Sequence, residues 1–254
     1  MRRIIAFVIT SCLVLICVSN CMANEILFRN LPWGSNPDLM EKELSDAGFL
    51  YPVASEGVLI YFDKYLEELD RSHLDNSRIT EQTCGWACAA YNFSEDGPSV
   101  AGYNIGSVQA YFYSPIENNM VNMDKKAAKL YLAQYTLSIL DYDTAFDELS
   151  SKLAKLYGEP EQKPGKTSAW LNENDAFLTT CDTIRLYYYG DNNTVVVLEK
   201  VLNDDKGVGL AIVYGQIGYD NHIAKCDEII KQKEYQERLE KEQGTDRSDD
   251  FGGL

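Results

Sequence analysis

The chain has 254 residues, 45% of them hydrophobic, and carries 39 acidic against 23 basic side chains, a formal net charge of −16 at pH 7. That length allows one large domain or two small ones around a true core. So strong an acidic excess argues against nucleic acid and anionic membranes as partners, because the average field repels phosphate.

Arg2 and Arg3 precede an apolar run from Ile4 to Val18, too short for a membrane span and well suited to an export signal. Residues 1–23 are therefore set apart as a signal peptide, and the product is expected to be exported, secreted or held in the cell envelope. Cys21-Met22-Ala23 places small residues where a signal peptidase reads, giving a mature chain from Asn24. Val18-Ser19-Asn20-Cys21 partly resembles a lipobox, with Asn20 where Gly, Ala or Ser is usual, so a lipid anchor on Cys21 is the alternative. Without the signal the chain keeps 21 basic and 39 acidic residues, a balance of −18, and no membrane span is expected in it.

Residues 24–140 are expected to form a first α+β unit. Asn24–Phe28 is a short strand, and Leu31-Pro32-Trp33-Gly34 is a tight exit from it. Asn36 followed by Pro37 caps a helix whose apolar face is Met40, Leu44 and Ala47, with Gly48 as its stop. Residues 52–98 form an irregular insertion. It has helical apolar steps at Val58, Phe62, Tyr65, Leu66 and Leu69, and the small, aromatic stretch Cys84–Phe93 closes on turn chemistry. Val100–Ile105 and Ser107–Tyr113 are two strands around Gly106, and residues 114–124 are a connecting loop. Tyr131, Ala133, Tyr135, Leu137 and Ile139 alternate with polar residues, the period of a half-buried strand.

Residues 141–218 repeat the recipe. Asp143 or Thr144 caps a helix carrying Phe146, Leu149, Leu153 and Leu156, which Gly158 and Pro160 end. Strands follow at 167–171, 177–180, 184–189, 195–202 and 208–214, with Gly190–Asn193 and Asn203–Gly207 as hairpin turns. Spacings so short leave no room for crossover helices. The fold class is therefore α+β, antiparallel β-meanders packed by amphipathic helices in two tandem helix-plus-sheet units. Residues 219–243 are a last helix that docks by Ile223, Cys226 and Ile230 and then projects, and residues 244–254 are a disordered tail.

Four cysteines remain after the signal: Cys84, Cys88, Cys181 and Cys226. An even number in an exported chain permits disulfides, and of three pairings Cys84–Cys88 with Cys181–Cys226 is preferred. Cys84-x3-Cys88 lacks a matching second pair, so no metal is expected, nor any cofactor. Gly165-Lys166-Thr167 fails as a phosphate loop, because Pro160 replaces the first glycine and a strand follows where a helix is needed. His73 and His222 are the only imidazoles, and nothing supplies either with a nucleophile and an orienting group. The carboxylate pairs Asp141/Asp143, Glu173/Asp175, Asp204/Asp205 and Asp249/Asp250 sit at turns, caps or the tail and are structural. Seventeen tyrosines are many, and Tyr111, Tyr113, Tyr187 and Tyr189 project from strands, so an exposed tyrosine face is the candidate binding surface unless a helix or the insertion covers it.

Ile26–Arg29 with Leu31–Ser35 (an FRxxPWG-type opening), Tyr157-Gly158-Glu159-Pro160 and Trp170 resemble a group of exported bacterial proteins of uncharacterised function. The order helix then strands, twice, is similar to the modules of outer-membrane assembly lipoproteins and β-lactamase inhibitor proteins, which implies protein binding. The expected function is thus an exported, non-catalytic binding or envelope-associated protein whose partner is another protein or a cell-wall component. The alternatives are an inhibitor of a secreted enzyme and a cysteine or carboxylate hydrolase.

Overall fold

A computed structural model describes residues 26–57, 59–67, 83–92, 94, 97–169, 179–203 and 206–245. The elements are α1 (Pro37–Asp46), β1 (Leu50–Gly57), α2 (Phe62–Glu67), β2 (Gly85–Tyr91), β3 (Ser99–Val100), β4 (Tyr103–Tyr113), β5 (Ile116–Glu117), β6 (Met120–Val121) and β7 (Lys129–Leu137). After them come α3 (Tyr142–Tyr157), β8 (Glu161–Ala169), β9 (Thr179–Tyr189), β10 (Thr194–Asn203), β11 (Lys206–Gln216) and α4 (Asp220–Thr245).

All these strands except β5 and β6 form one nine-stranded antiparallel sheet, ordered β1-β2-β4-β7-β11-β10-β9-β8 with β3 beside β4. The α+β class is as expected, and each half contributes a four-stranded antiparallel meander, β1-β2-β4-β7 after α1, with α2 between β1 and β2, and β8-β9-β10-β11 after α3. The two halves are not separate sheets. Their last strands, β7 and β11, pair from Leu132↔Gly215 to Thr136↔Ala211 and fuse them. A strand buried on both faces at such a seam needs apolar residues on both sides. Leu130, Tyr131, Leu132 and Ala133 are accordingly all buried, so the first part of β7 is buried on both faces, while from Ala133 to Leu137 the expected alternation holds, with Gln134 half-buried and Thr136 exposed. The alternation fails at Tyr131, where a register shift against β4 turns Tyr131 and Leu132 to one layer and Leu130, Ala133, Tyr135 and Leu137 to the other.

Helices α1 and α3 cover the first layer. Asn36 Oδ1 accepts from Leu39 N at 3.1 Å, and Met40 and Leu44 are buried. In α3 the cap is Asp141, which accepts from Thr144 N at 3.0 Å, while Asp143 is drawn away to Lys200 Nζ at 2.8 Å. The second layer is closed by Leu59, Phe62, Ile223 and Cys226 from α2, α4 and the chain before α2. The supposed insertion 52–98 therefore supplies two sheet strands, β1 and β2. Its Ala, Gly and Cys residues have weak strand propensity, but at Gly85 a Cβ would lie 2.3 Å from Phe112 O, so close packing dictates the small residue. Gly106 interrupts nothing, since β4 runs through it at a register shift. Likewise β8 begins at Glu161, ahead of the expected strand, and carries Gly165-Lys166-Thr167, and β9 is one strand where two were expected.

The FRxxPWG-type residues are built into this frame. Arg29 and Asn30 both adopt positive φ, 52° and 64°, turning the chain between Phe28 and Leu31. Trp33 Nε1 donates to Ile26 O at 2.6 Å, and Gly34 and Ser35 exchange backbone hydrogen bonds with Leu130 at 3.0 and 2.8 Å. The signal segment with Cys21, His73, Trp170, and the pairs Glu173/Asp175, Asp204/Asp205 and Asp249/Asp250 lie outside the described residues.

Candidate binding grooves along the last helix

The tyrosine face is largely covered. Tyr187 is fully buried, Tyr111 and Tyr113 are half-buried, and of the four only Tyr189 is exposed. Tyr113 packs against Tyr219 at 4.6 Å and His222 at 4.9 Å between ring centroids, both from the α4 end of the chain. Tyr187 lies beneath Lys163 Nζ, 4.8 Å from its ring. The helix-covered alternative is the one realised, because the apolar start of α4 needs that layer as much as the tyrosines do.

The reactive side chains are spent on structure. Cys84, Cys88, Cys181 and Cys226 are all buried and none is in a disulfide, so neither preferred pairing is formed. Cys84 and Cys88 flank or lie on an extended strand, where positions four apart are separated by about 13 Å, well beyond bridging distance. They also belong to different core layers. Burial pushes the Cys88 thiol up to about 12 and the Cys226 thiol up to about 11, the reverse of what a nucleophile requires. His222 Nε2 donates to Ser114 O at 2.8 Å and Cys226 Sγ reaches the same carbonyl at 3.6 Å, so the imidazole and thiol share an acceptor instead of each other. Among the described residues no three His, Cys, Asp or Glu side chains converge on a metal-sized position.

The last helix, α4, is accessible over much of its length. Its start is fixed by reciprocal capping with α2. Asp220 Oδ1 accepts from Asp63 N at 3.1 Å, while the Asp63 carboxylate accepts from Gly218 N at 2.9 and 3.0 Å. Tyr61 Oη donates to the buried Asp227 at 2.9 Å and ties the next turn down. Beyond Ile230 the described side chains are exposed except half-buried Leu239, so the helix stands out as a fin.

Each flank of the fin carries a groove. The smaller, about 440 Å³, lies between Tyr61 and the Ala224, Lys231 and Tyr235 side of the helix. The larger, about 1230 Å³, lies between α4 and the β5–β6 hairpin. Asn118 and Asn119 make that hairpin, both in the left-handed region with φ of 52° and 61°. It is pinned to the core by Trp86 Nε1 donating to Met123 O at 3.2 Å and by Ser114 Oγ against Met123 Sδ at 3.4 Å. Six glutamates, among them Glu117, Glu237 and Glu240, line this groove against two lysines, Lys225 and Lys233, with Met120, Val121 and Ile230 among its apolar walls. Residues 114–124 read as a plain connector. The Asn118-Asn119 pair was the available signal for a hairpin.

The fold and this site define an α+β protein with one covered antiparallel sheet and a grooved helical fin. The chain matches no protein-family model, no curated protein and no solved structure.

Proposed function

We propose that this is an exported, non-catalytic binding protein of the cell envelope or exterior, and that the flanks of α4 are where it binds. The carrying observation is the large groove beside α4, held open by a pinned hairpin and combining apolar side chains with charge. Two further features support the reading: an export-type N-terminus, and buried thiols whose pKa values rise instead of fall. The test is a photo-crosslinking residue placed at Gln236 in the groove or at Asp46 on α1, in the protein expressed by its own cells. Envelope adducts at position 236 and none at 46 are expected. No adduct at position 236 would overturn the proposal, and hydrolysis of a peptide or cell-wall substrate by the purified protein would favour the hydrolase alternative.

A second reading, inhibition of a secreted enzyme, draws on the hairpin tip. Met120 is 65% exposed beside a two-residue turn whose partners are fixed by Asn122 N donating to Pro115 O at 2.9 Å. A short, pinned projection of this kind suits an enzyme cleft.

A further inference from the structure

The larger groove has walls of two kinds. Its charged rim is six glutamates to two lysines, and that excess focuses a negative potential on a channel already bounded by low-dielectric protein. Between those charges Ile229 and Ile230 are half-buried on the helix side, and Met120 and Val121 face them from the hairpin. Methionine beside isoleucine gives an apolar surface that adapts to differently shaped side chains.

The helix flank from Lys225 to Glu240 extends about 22 Å at 1.5 Å per residue, the length of an α-helix of roughly four turns. A helix laid in such a channel presents an apolar stripe to the floor and its flanking positions to the rim. The chain's own end is the wrong sign to fill the groove, since Asp246, Asp249 and Asp250 outnumber Arg247 there. A second copy, at −18 without residues 1–23, meets the same repulsion.

We infer that the groove between α4 and the β5–β6 hairpin takes a basic amphipathic helix of a partner protein, lysine or arginine on its flanks and large aliphatic side chains on its buried face. This rests on the binding function proposed above and names the partner's chemistry. Steering by the glutamate rim would make association fast at low salt and slower as salt is added.

The test uses the mature chain and a fluorescent amphipathic peptide of about 14 residues made of leucine and lysine, the length that fits the flank. Its counterpart has every lysine replaced by glutamate. Two double variants carry the same change in net charge: Glu237→Lys/Glu240→Lys in the groove, and Asp147→Lys/Glu159→Lys on the α3 side of the sheet. Met120→Asp tests the apolar wall. All these positions are exposed, and circular dichroism checks that each variant is folded. The basic peptide is expected to bind the wild type. The groove double variant and Met120→Asp should each weaken it by about tenfold, and the α3 variant by less than about twofold. Equal weakening by the two double variants would reduce the effect to diffuse charge attraction and overturn the inference, as would absence of binding. If the peptide fails while crosslinks at position 236 persist, the basic-helix inference falls and the binding function stands. If the crosslinks are missing too, both fall.

Discussion

The ring of Phe28 stacks on that of Tyr135, with centroids 4.7 Å apart, and its edge meets Tyr214 at 5.6 Å. Tyr135 is on β7 and Tyr214 on β11, so a residue ahead of the first helix closes the seam between the two halves. Tyr135 and Tyr214 are themselves edge-to-face at 5.9 Å, completing a three-ring cluster. Phe28→Ala should cost about 3–5 kcal/mol, the usual loss for emptying a buried phenylalanine site. Urea unfolding checks this. A lower midpoint with one transition is expected, and a loss below about 1 kcal/mol would mean that Phe28 does not hold the seam.

Arg185 on β9 and Glu199 on β10 are directly opposed in register and both buried, with Nε 2.6 Å from Oε2. Arg185 also reaches Lys166 O at 3.4 Å. Removing one partner leaves a buried charge less compensated, at a cost of about 3–5 kcal/mol, whereas an apolar pair of similar volume avoids that cost. Glu199→Gln and Arg185→Met should therefore each destabilise strongly, and Arg185→Met/Glu199→Leu should recover most of the loss. A double-mutant cycle by chemical denaturation measures it, and additive losses would remove the coupling.

Alkali is expected to unfold the protein cooperatively. Burial raises Cys88 from 9.0 to about 12, Cys226 from 9.0 to about 11 and Tyr135 from 10.0 to about 12. For acids whose folded pKa is raised, the folded state holds its protons more tightly than the unfolded state. The stabilisation is complete below pH 9 and is lost as pH rises from 9 through about 12. Tyrosinate absorbance and loss of near-ultraviolet dichroism should appear together in that window. Thiol reagents at neutral pH should label Cys84, Cys88, Cys181 and Cys226 only after unfolding, and fast labelling of the folded chain would contradict the burial.

Removing residues 231–254 should leave the fold nearly intact. From Lys231 to Glu242 only Leu239 is even half-buried, whereas Ile223 and Cys226, which anchor the helix, are retained. The expected stability change is below about 1 kcal/mol, because the described side chains that the truncation removes are exposed apart from half-buried Leu239. Binding of the basic peptide should disappear because one wall of the groove is gone. Thermal unfolding and anisotropy together test it, and a loss above about 3 kcal/mol would show that the fin is part of the core.

The helices were legible because their signals are local. Asn36-Pro37, the apolar spacing of α3 and its glycine stop all act within a few residues, and the fold class followed from strand spacing. Turn chemistry was legible unevenly. Asn192 and Asn193 take φ of 57° and 58° in the expected hairpin, and Asn118 and Asn119 do the same where only a loop was read, since two-residue strands give no alternation to flank them. What was hidden depends on distant pairing. Nothing local to β7 says that β11 will lie beside it, so the burial of both faces over Leu130–Ala133 and the covering of Tyr187 emerge only from topology. The grooves belong to that hidden part, the larger being made where α4 meets residues about 110 earlier in sequence and the smaller where it meets Tyr61.

The placement of every surface described here depends on the two halves being one body joined at β7–β11. Native-state amide hydrogen exchange across residues 129–137 and 206–216 measures that most directly. The expected result is that the amides of Gln134, Tyr135, Ile212 and Val213 exchange only through global unfolding, with one opening free energy common to both strands. Exchange of residues 142–216 at a distinctly lower free energy, while residues 26–137 stay protected, would contradict it.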